Sequence, residues 1–376
     1  MQLIYPNKKE KKEILEFIPS VDFSQHFVGN NTLIYGENLD AIALLLHKYD
    51  MCGKVDLIYI DPPFATNGSF SIGKERTSTI SPSMSDVIAY EDKIVGESFL
   101  EFLRERLIIA HSLLSEQGSI YLHIDYKIGH YVKIIMDEIF GIENFKNDIT
   151  RIKCNPKNFS RKAYGNIKDL ILFYSKTKTP IWNEPFLPYS QKDIDQLYKK
   201  IDEKGRAYTT IPLHAPGETK DGLTGGKFKG MKPPKGRHWR TSPLELEKLD
   251  DEGLIEWSAN GVPRKKIFAC EQKGKKMQDI WDFKDSQYPI YPTEKNLDLL
   301  RSIVSTSSNE NSIVMDFFCG SGASLLAAQE MGRKWIGIDK SDSAIKTVKK
   351  RFEALNSSLF CENTFDFITL IEKSNR

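Results

Sequence analysis

Hydrophobic and polar positions divide this chain into three textures. Residues 31–175 alternate short apolar, β-branched runs with stretches of helical period, residues 179–276 lose that rhythm, and residues 311–339 recover it. In the first part the pattern predicts strands at 32–35 and 55–60, the second apolar enough for a buried parallel strand, and helices at 39–49, 99–114 and 128–140. Phe102, Leu103, Arg106, Leu107 and Ala110 fall on the buried side of the 99–114 helix. A strand at 118–124 and an antiparallel pair at 149–153 and 169–175 extend the same sheet. The last part predicts a strand at 311–316, a helix at 323–331 and a strand at 334–338, a βαβ unit. Residues 8–17 read as a short amphipathic helix, and 65–98, rich in Ser, Thr, Gly and Lys, as a mobile loop over a site. The expectation is an α/β domain carrying a large insertion.

Composition narrows the class. The chain has 376 residues, 40% of them hydrophobic, and no run approaches the roughly 18 to 20 apolar residues of a membrane span. The amino terminus lacks a signal-peptide core, so a cytoplasmic protein is expected. Five cysteines without C-x-x-C spacing argue against a zinc cluster and a disulfide framework, and no metal is expected. Net charge is only +2, but residues 151–280 hold 27 Lys and Arg against 16 Asp and Glu. A basic insertion on an acidic scaffold points to a polyanionic partner. Its densest run, 227–240, offers Lys227, Lys229, Lys232, Arg237 and Arg240 for phosphates and Trp239 for stacking on bases. A polar tongue at 155–162 adds Lys157, Arg161 and Lys162.

The candidate chemistry sits at strand ends. Asp61-Pro62-Pro63-Phe64 closes the 55–60 strand, and two prolines without amide hydrogens hold a carboxylate, a free carbonyl and a ring at the carboxyl edge, where open α/β sheets bind ligands. Near the other end of the chain, Asp316-Phe317-Phe318-Cys319-Gly320-Ser321-Gly322 makes a glycine turn between strand and helix, and Asp339 follows 17 residues after Gly322. That is the spacing of a nucleotide-binding βαβ unit, with the acid on ribose hydroxyls. Glu37, at the end of the 32–35 strand, is placed either to accept an adenine amine or to start a helix as a dipole-stabilised carboxylate. If both ends share one sheet, the order of the halves is circularly permuted.

These paired motifs, with a basic insert between them, resemble the β-class amino-group DNA methyltransferases of bacterial restriction-modification systems, over residues 31–175 and 279–355. Tyr291-Pro292-Thr293-Glu294-Lys295 and Gly337-Ile338-Asp339 also resemble that family's cofactor-site segments. Phe317 stands where the family usually has Pro, and Ala323-Ser324 where it often has Thr-Thr. The resemblance implies a Rossmann-like S-adenosylmethionine-dependent methyltransferase fold, mixed but mainly parallel, with an inserted irregular DNA-recognition domain. The expected division is an extension at 1–30, a catalytic half at 31–178, a recognition domain at 179–278 and a cofactor half at 279–376. It implies S-adenosylmethionine as cofactor, held by Phe317, Phe318, Gly320 and Gly322 with Asp339 on the ribose, and Asp316, Thr293, Glu294 and Lys295 near the methionine part. Double-stranded DNA is the implied substrate, a homodimer is expected, and a cognate restriction endonuclease is left open.

An exocyclic amine is a poor nucleophile because its lone pair is delocalised into the ring. The Asp61 carboxylate and Pro62 carbonyl can each take one amine hydrogen, while Phe64 stacks on a base extruded from the duplex. Family members acting on cytosine more often have Ser in place of Asp61, so adenine is expected and cytosine is the alternative. A dinucleotide-dependent oxidoreductase and a non-catalytic DNA-binding protein are the other readings of the glycine turn and the basic segment.

Overall fold

The computed structural model describes residues 2–63, 69–72, 77–78, 87–91, 96–156, 162–219, 222–286, 294–358 and 365–373. The chain forms two compact units, residues 1–185 with 278–376, and residues 186–277. Among the described residues the first unit holds a ten-stranded sheet. Its order is Val21–Phe23, Asp366–Glu372, Thr32–Tyr35, Lys334–Asp339, Ile313–Asp316, Val55–Ile60, Leu114–Ile124, Lys168–Ser175, Phe145–Ile152 and Ile280–Trp281. The six strands from Asp366–Glu372 to Leu114–Ile124 run parallel. Lys168–Ser175 and Phe145–Ile152 then turn antiparallel as the expected hairpin, and Ile280–Trp281 pairs parallel with the latter. This is the mixed, mainly parallel sheet that the resemblance implies.

The join between the two halves lies at the centre. Val314 registers against Leu57 and Met315 against Ile58, so the carboxy-terminal βαβ unit lies directly beside the amino-terminal strand that ends in Asp61. The inner strands are buried on both faces: Ile34, Ile58, Ile60, Met315, Ile336 and Ile338 pack with Ala41, Ile42, Leu103 and Leu107 of the helices Asn38–His47 and Gly96–Leu113. Such strands need continuous apolar sequence rather than alternation, and theirs is continuous.

Three expectations change. The amino-terminal extension supplies a helix, Lys11–Leu15, and an edge strand, Val21–Phe23, antiparallel to Asp366–Glu372, so it belongs to the sheet. The second unit begins at Phe186 rather than 179, because Ile181 N–H donates to Gln117 O (3.0 Å) and Asn183 N–H to Thr306 O (2.8 Å), tying those residues to the first unit. Within 65–98, the described residues form three short antiparallel strands, Ser69–Ile72, Thr77–Ser78 and Val87–Glu91, and the next helix starts at Gly96; the remainder of the expected loop lies outside the described residues.

The second unit has a four-stranded sheet ordered Lys200–Ile201, Ala207–Pro212, Pro263–Phe268, Ile255–Trp257, and a hairpin of His214–Pro216 with Arg237–Trp239. Leu213, Phe228, Trp239, Leu246 and Ile255 make a core of its own. Among the described residues no helix is long and apolar enough to cross a membrane.

Candidate active site

Four neighbouring parallel strands end at one edge, and each delivers an acid there. Thr32–Tyr35 leads to Glu37, Lys334–Asp339 ends in Asp339, Ile313–Asp316 ends in Asp316 and its glycine turn, and Val55–Ile60 leads to Asp61. Residues 314–315 and 57–58 are in register, and the turn that follows Asp316 and the Pro-Pro stop that follows Asp61 therefore leave the sheet side by side.

On the cofactor side, Asp339 braces the glycine turn. Its Oδ2 accepts from Gly320 N–H and its Oδ1 from Ser341 N–H, both at 2.8 Å. Gly320 and Gly322 have φ of +49° and +73°, in the left-handed region that favours glycine, and a Cβ at Gly322 would also lie 2.8 Å from Val348. Asp316 accepts from Phe318 N–H (3.0 Å) at Oδ1 and from the Ser324 hydroxyl at Oδ2, so the serine supplies a side-chain hydroxyl in the expected Thr-Thr position. Burial pushes Asp316 up to about 7, against those hydrogen bonds and with help from the charges of Asp61 and Asp339. Burial also raises Asp339. Among the described residues neither carboxylate has a salt-bridge partner. Asp316, buried without a salt-bridge partner among the described residues, and Asp339, half-buried within reach of the Lys340 charge, flank a backbone turn and suit a ligand bearing an ammonium, a sulfonium and ribose hydroxyls, so S-adenosylmethionine fits this donor set.

Phe317 does not line this side: its ring is fully buried in the core, and its carbonyl accepts from Asn38 Nδ2 at 2.7 Å. Phe318 is half-buried, with its ring centroid 6.1 Å from that of Phe102. Glu37 starts the Asn38–His47 helix without capping it; Oε1 accepts from Arg106 Nη2 (2.6 Å) and Oε2 from Lys340 Nζ (3.1 Å). Burial raises Glu37, but the charges of Arg106 and Lys340 outweigh it and hold its carboxyl below the usual range. Arg106 also donates from Nε to Asn38 Oδ1 (2.7 Å) and lies 3.6 Å over the Phe102 ring. Its signal in the sequence was an arginine on the apolar face of a helix, which demands a buried partner.

On the catalytic side, Asp61 Oδ2 pairs with Lys295 Nζ at 2.7 Å, and both side chains are largely buried, 17% and 9% exposed. Asp61 Oδ1 is buried and, among the described residues, accepts no hydrogen bond. Lys295, placed by resemblance with the cofactor, thus holds one oxygen of the acid and leaves the other open. Asn296 accepts from Asp298 N–H and Leu299 N–H, capping the helix Leu297–Ser307 immediately after Lys295. Glu294 is ion-paired with Arg351, which ties it to the helix Asp342–Ser358. Pro62 is buried and Pro63 half-buried. Phe64, Thr293, Lys157 and Arg161 lie outside the described residues.

Beneath Asp61, Tyr59 Oη meets His123 Nδ1 (3.1 Å), His123 Nε2 meets Asp169 Oδ2 (3.3 Å), and Asp169 Oδ1 takes Lys153 Nζ (2.6 Å). Burial, then the Lys295 charge, depresses His123, so the imidazole is neutral. Sequence reasoning missed this buried chain, whose members lie on separate strands.

Of the residues expected to meet DNA, Lys162 is exposed on the first unit, and Lys227, Lys232, Arg237 and Arg240 on the second. Lys229 is committed to Asp250. Trp239 is a correction: it is 3% exposed within the second unit's core and its indole N–H donates to Gly226 O (2.9 Å), leaving no face for a base.

This edge, with its acids, glycine turn and Asp-Pro-Pro stop, is that of an amino-group methylase. Residues 55–350 match the family model described as DNA methylase, and the chain belongs to that N6/N4 family. It is 40% identical over 365 residues to the type II methyltransferase M.EcaI of Enterobacter cloacae, covering 93% of this chain and 77% of that protein. It is 25% identical over 366 residues to the StyLTI Mod subunit, part of a type III restriction-modification enzyme of Salmonella typhimurium, covering 86% of this chain but only 54% of that protein. Among solved structures, the M1.HpyAVI–SAM complex aligns at a TM-score of 0.46 and 18% identity over 85% of this chain and 99% of that one.

Proposed function

We propose that the chain transfers a methyl group from S-adenosylmethionine to the 6-amino group of an adenine extruded from duplex DNA. The observation that carries the reading is Asp61: a buried carboxylate with Oδ2 fixed by Lys295 and Oδ1 without a partner among the described residues, at the edge that also bears the glycine turn. S-adenosylmethionine, when bound, supplies an electrophilic methyl on sulfonium. Asp61 Oδ1 accepts one amine hydrogen and the Pro62 carbonyl the other, which turns the nitrogen lone pair out of the ring plane. As the nitrogen gains the methyl it becomes positive, and the nearby carboxylate stabilises that charge. The surplus proton leaves toward Asp61 Oδ1, the acceptor already in contact with it. No covalent step on the protein is required, so orientation by fixed acceptors is the main source of acceleration.

Adenine is favoured over cytosine because the acceptor is an aspartate, the residue more usual in adenine-specific members. The similarity to M.EcaI supports a place in a restriction-modification system, with an endonuclease of the same sequence specificity as partner. Nucleoside mass spectrometry of DNA from a methylation-free host expressing the chain is expected to detect N6-methyladenine; N4-methylcytosine alone would overturn the base assignment. Asp61→Ala is expected to lose about 100-fold or more in methyl transfer, on the scale of removing one preorganised transition-state contact, while S-adenosylmethionine and DNA binding persist.

A further inference from the structure

Three arginines of the second unit hold one short segment, residues 210–214, where the strand Ala207–Pro212 passes through a bend at Leu213 into His214–Pro216. Arg264 donates from Nε to Thr210 Oγ1 (2.9 Å) and from Nη2 to Thr210 O (2.8 Å). Arg240 donates from Nε to Pro212 O (3.1 Å), and its own N–H to Leu213 O (2.7 Å). Arg237 Nη1 lies 3.2 Å from His214 Nδ1. A guanidinium has no acceptor, so in that last contact Nδ1 must accept and carry no proton. The environment agrees: burial, then the charges of Arg237 and Arg240 and, further down, that of Arg264, all lower the proton affinity of His214. The three cations therefore converge near a neutral imidazole.

The docking points fall at residues 210, 212 and 214, every second position, and Leu213 between them is buried in the unit's core. Within the strand Ala207–Pro212 the step from 210 to 212 is about 7 Å, comparable with the step between successive phosphates of a nucleic acid strand, and the bend at Leu213 then turns the chain toward His214. Arg237 and Arg240 are exposed and Arg264 half-buried, and among the described residues none of the three pairs with a carboxylate. A guanidinium carries five N–H donors and the printed contacts use one or two of each, so every arginine keeps donors for a ligand. Anchored on alternate residues of one segment and unneutralised, such a set of cations suits a repeating polyanion better than a single base edge.

We propose that Arg264, Arg240 and Arg237 form a row that grips the phosphate backbone of duplex DNA, with His214 as its uncharged spacer. This rests on the reading of the chain as a DNA methylase, and it assigns positioning rather than sequence choice to these residues. Fluorescence anisotropy of the full chain on duplex DNA, across a salt series, tests it. In the triple variant R237Q/R240Q/R264Q the slope of log affinity against log salt is expected to shrink by about 0.9 per arginine, for target and non-target duplexes alike. The triple Arg→Lys variant is expected to keep the wild-type slope, and wild-type hydrogen exchange across 186–277 reports that the second unit of the Gln variant is folded. Should the triple Gln variant fail that control, each single Gln variant is expected to lose about one phosphate's worth of slope. A wild-type slope in folded Gln variants, or lost sequence preference at unchanged slope, overturns the proposal. If the wild-type chain binds no duplex at all, it is the methylase reading that falls.

Discussion

A lysine on one oxygen of the carboxylate proposed to be catalytic divides that group's work. With Oδ2 held by Lys295, the rotamer of Asp61 is fixed and Oδ1 alone is presented to an incoming amine. A residue acting on the acid changes the chemical step, whereas one acting on the cofactor changes its binding. Lys295→Met is therefore expected to lower kcat about tenfold or more while KM for S-adenosylmethionine moves less than about threefold, with Lys295→Arg recovering part of the rate. The opposite split, a large KM effect at unchanged kcat, would return Lys295 to the cofactor. Asp316 makes a second prediction at this scale. Its pKa is raised to about 7, so in the ligand-free protein the ionised form is the disfavoured one, and this group's contribution to stability falls as pH rises from the ordinary carboxylate range through 7. A ligand ammonium beside it reverses the preference, so binding expels a proton. Calorimetry is expected to find S-adenosylmethionine bound about tenfold more tightly at pH 7 than at pH 5.5, below the range in which an α-ammonium deprotonates, and Asp316→Asn is expected to abolish that dependence.

The helix Gly96–Leu113 links the cofactor side to the core through one side chain. Arg106 reaches Glu37, Asn38 and, through Asn38, the carbonyl of Phe317, while its guanidinium lies on Phe102 against Phe318. Removing Arg106 leaves Glu37 its contact with Lys340 but takes the donor from the buried Asn38 Oδ1 and from Phe102 O. Arg106→Ala is expected to destabilise the chain by about 1–3 kcal/mol in chemical denaturation and to weaken S-adenosylmethionine binding beyond what lost folded protein explains. Arg106→Lys is not expected to rescue it, since an ammonium cannot meet Glu37 and Asn38 as a planar fork does. Elements of this kind mark the limit of what was legible in the sequence. Val55–Ile60 and Ile313–Asp316 could be read because a doubly buried strand is written in consecutive residues, and Asp-Pro-Pro and the glycine turn because they sit at those strands' ends. Arg106 and Glu37 are 69 residues apart, and Lys295 and Asp61 further still, so nothing local recorded their pairing. Trp239 misled because an aromatic within a basic run can be platform or core, and only the packing of Phe228, Leu246 and Ile255 decides which.

At the scale of the whole molecule the chain keeps two accounts of burial. The first unit closes one sheet from both ends of the sequence, with the pairing of residues 57–58 to 314–315 as its join, and the second folds residues 186–277 around a separate core. That core is small, and Trp239 is its largest member, packed edge-on to Phe228 at 6.0 Å between ring centroids and bonded through its indole N–H to Gly226 O. Removing the ring deletes both the apolar contact and the partner of a buried carbonyl. Trp239→Ala is expected to cost about 3–5 kcal/mol, a loss few small cores tolerate. Because the acids and glycine turn belong to the other unit, hydrogen exchange is expected to rise across 186–277 while calorimetric binding of S-adenosylmethionine stays close to wild type and duplex binding is lost. Exchange rising equally in the strands Val55–Ile60 and Ile313–Asp316, with S-adenosylmethionine binding lost as well, would mean that the two cores unfold as one.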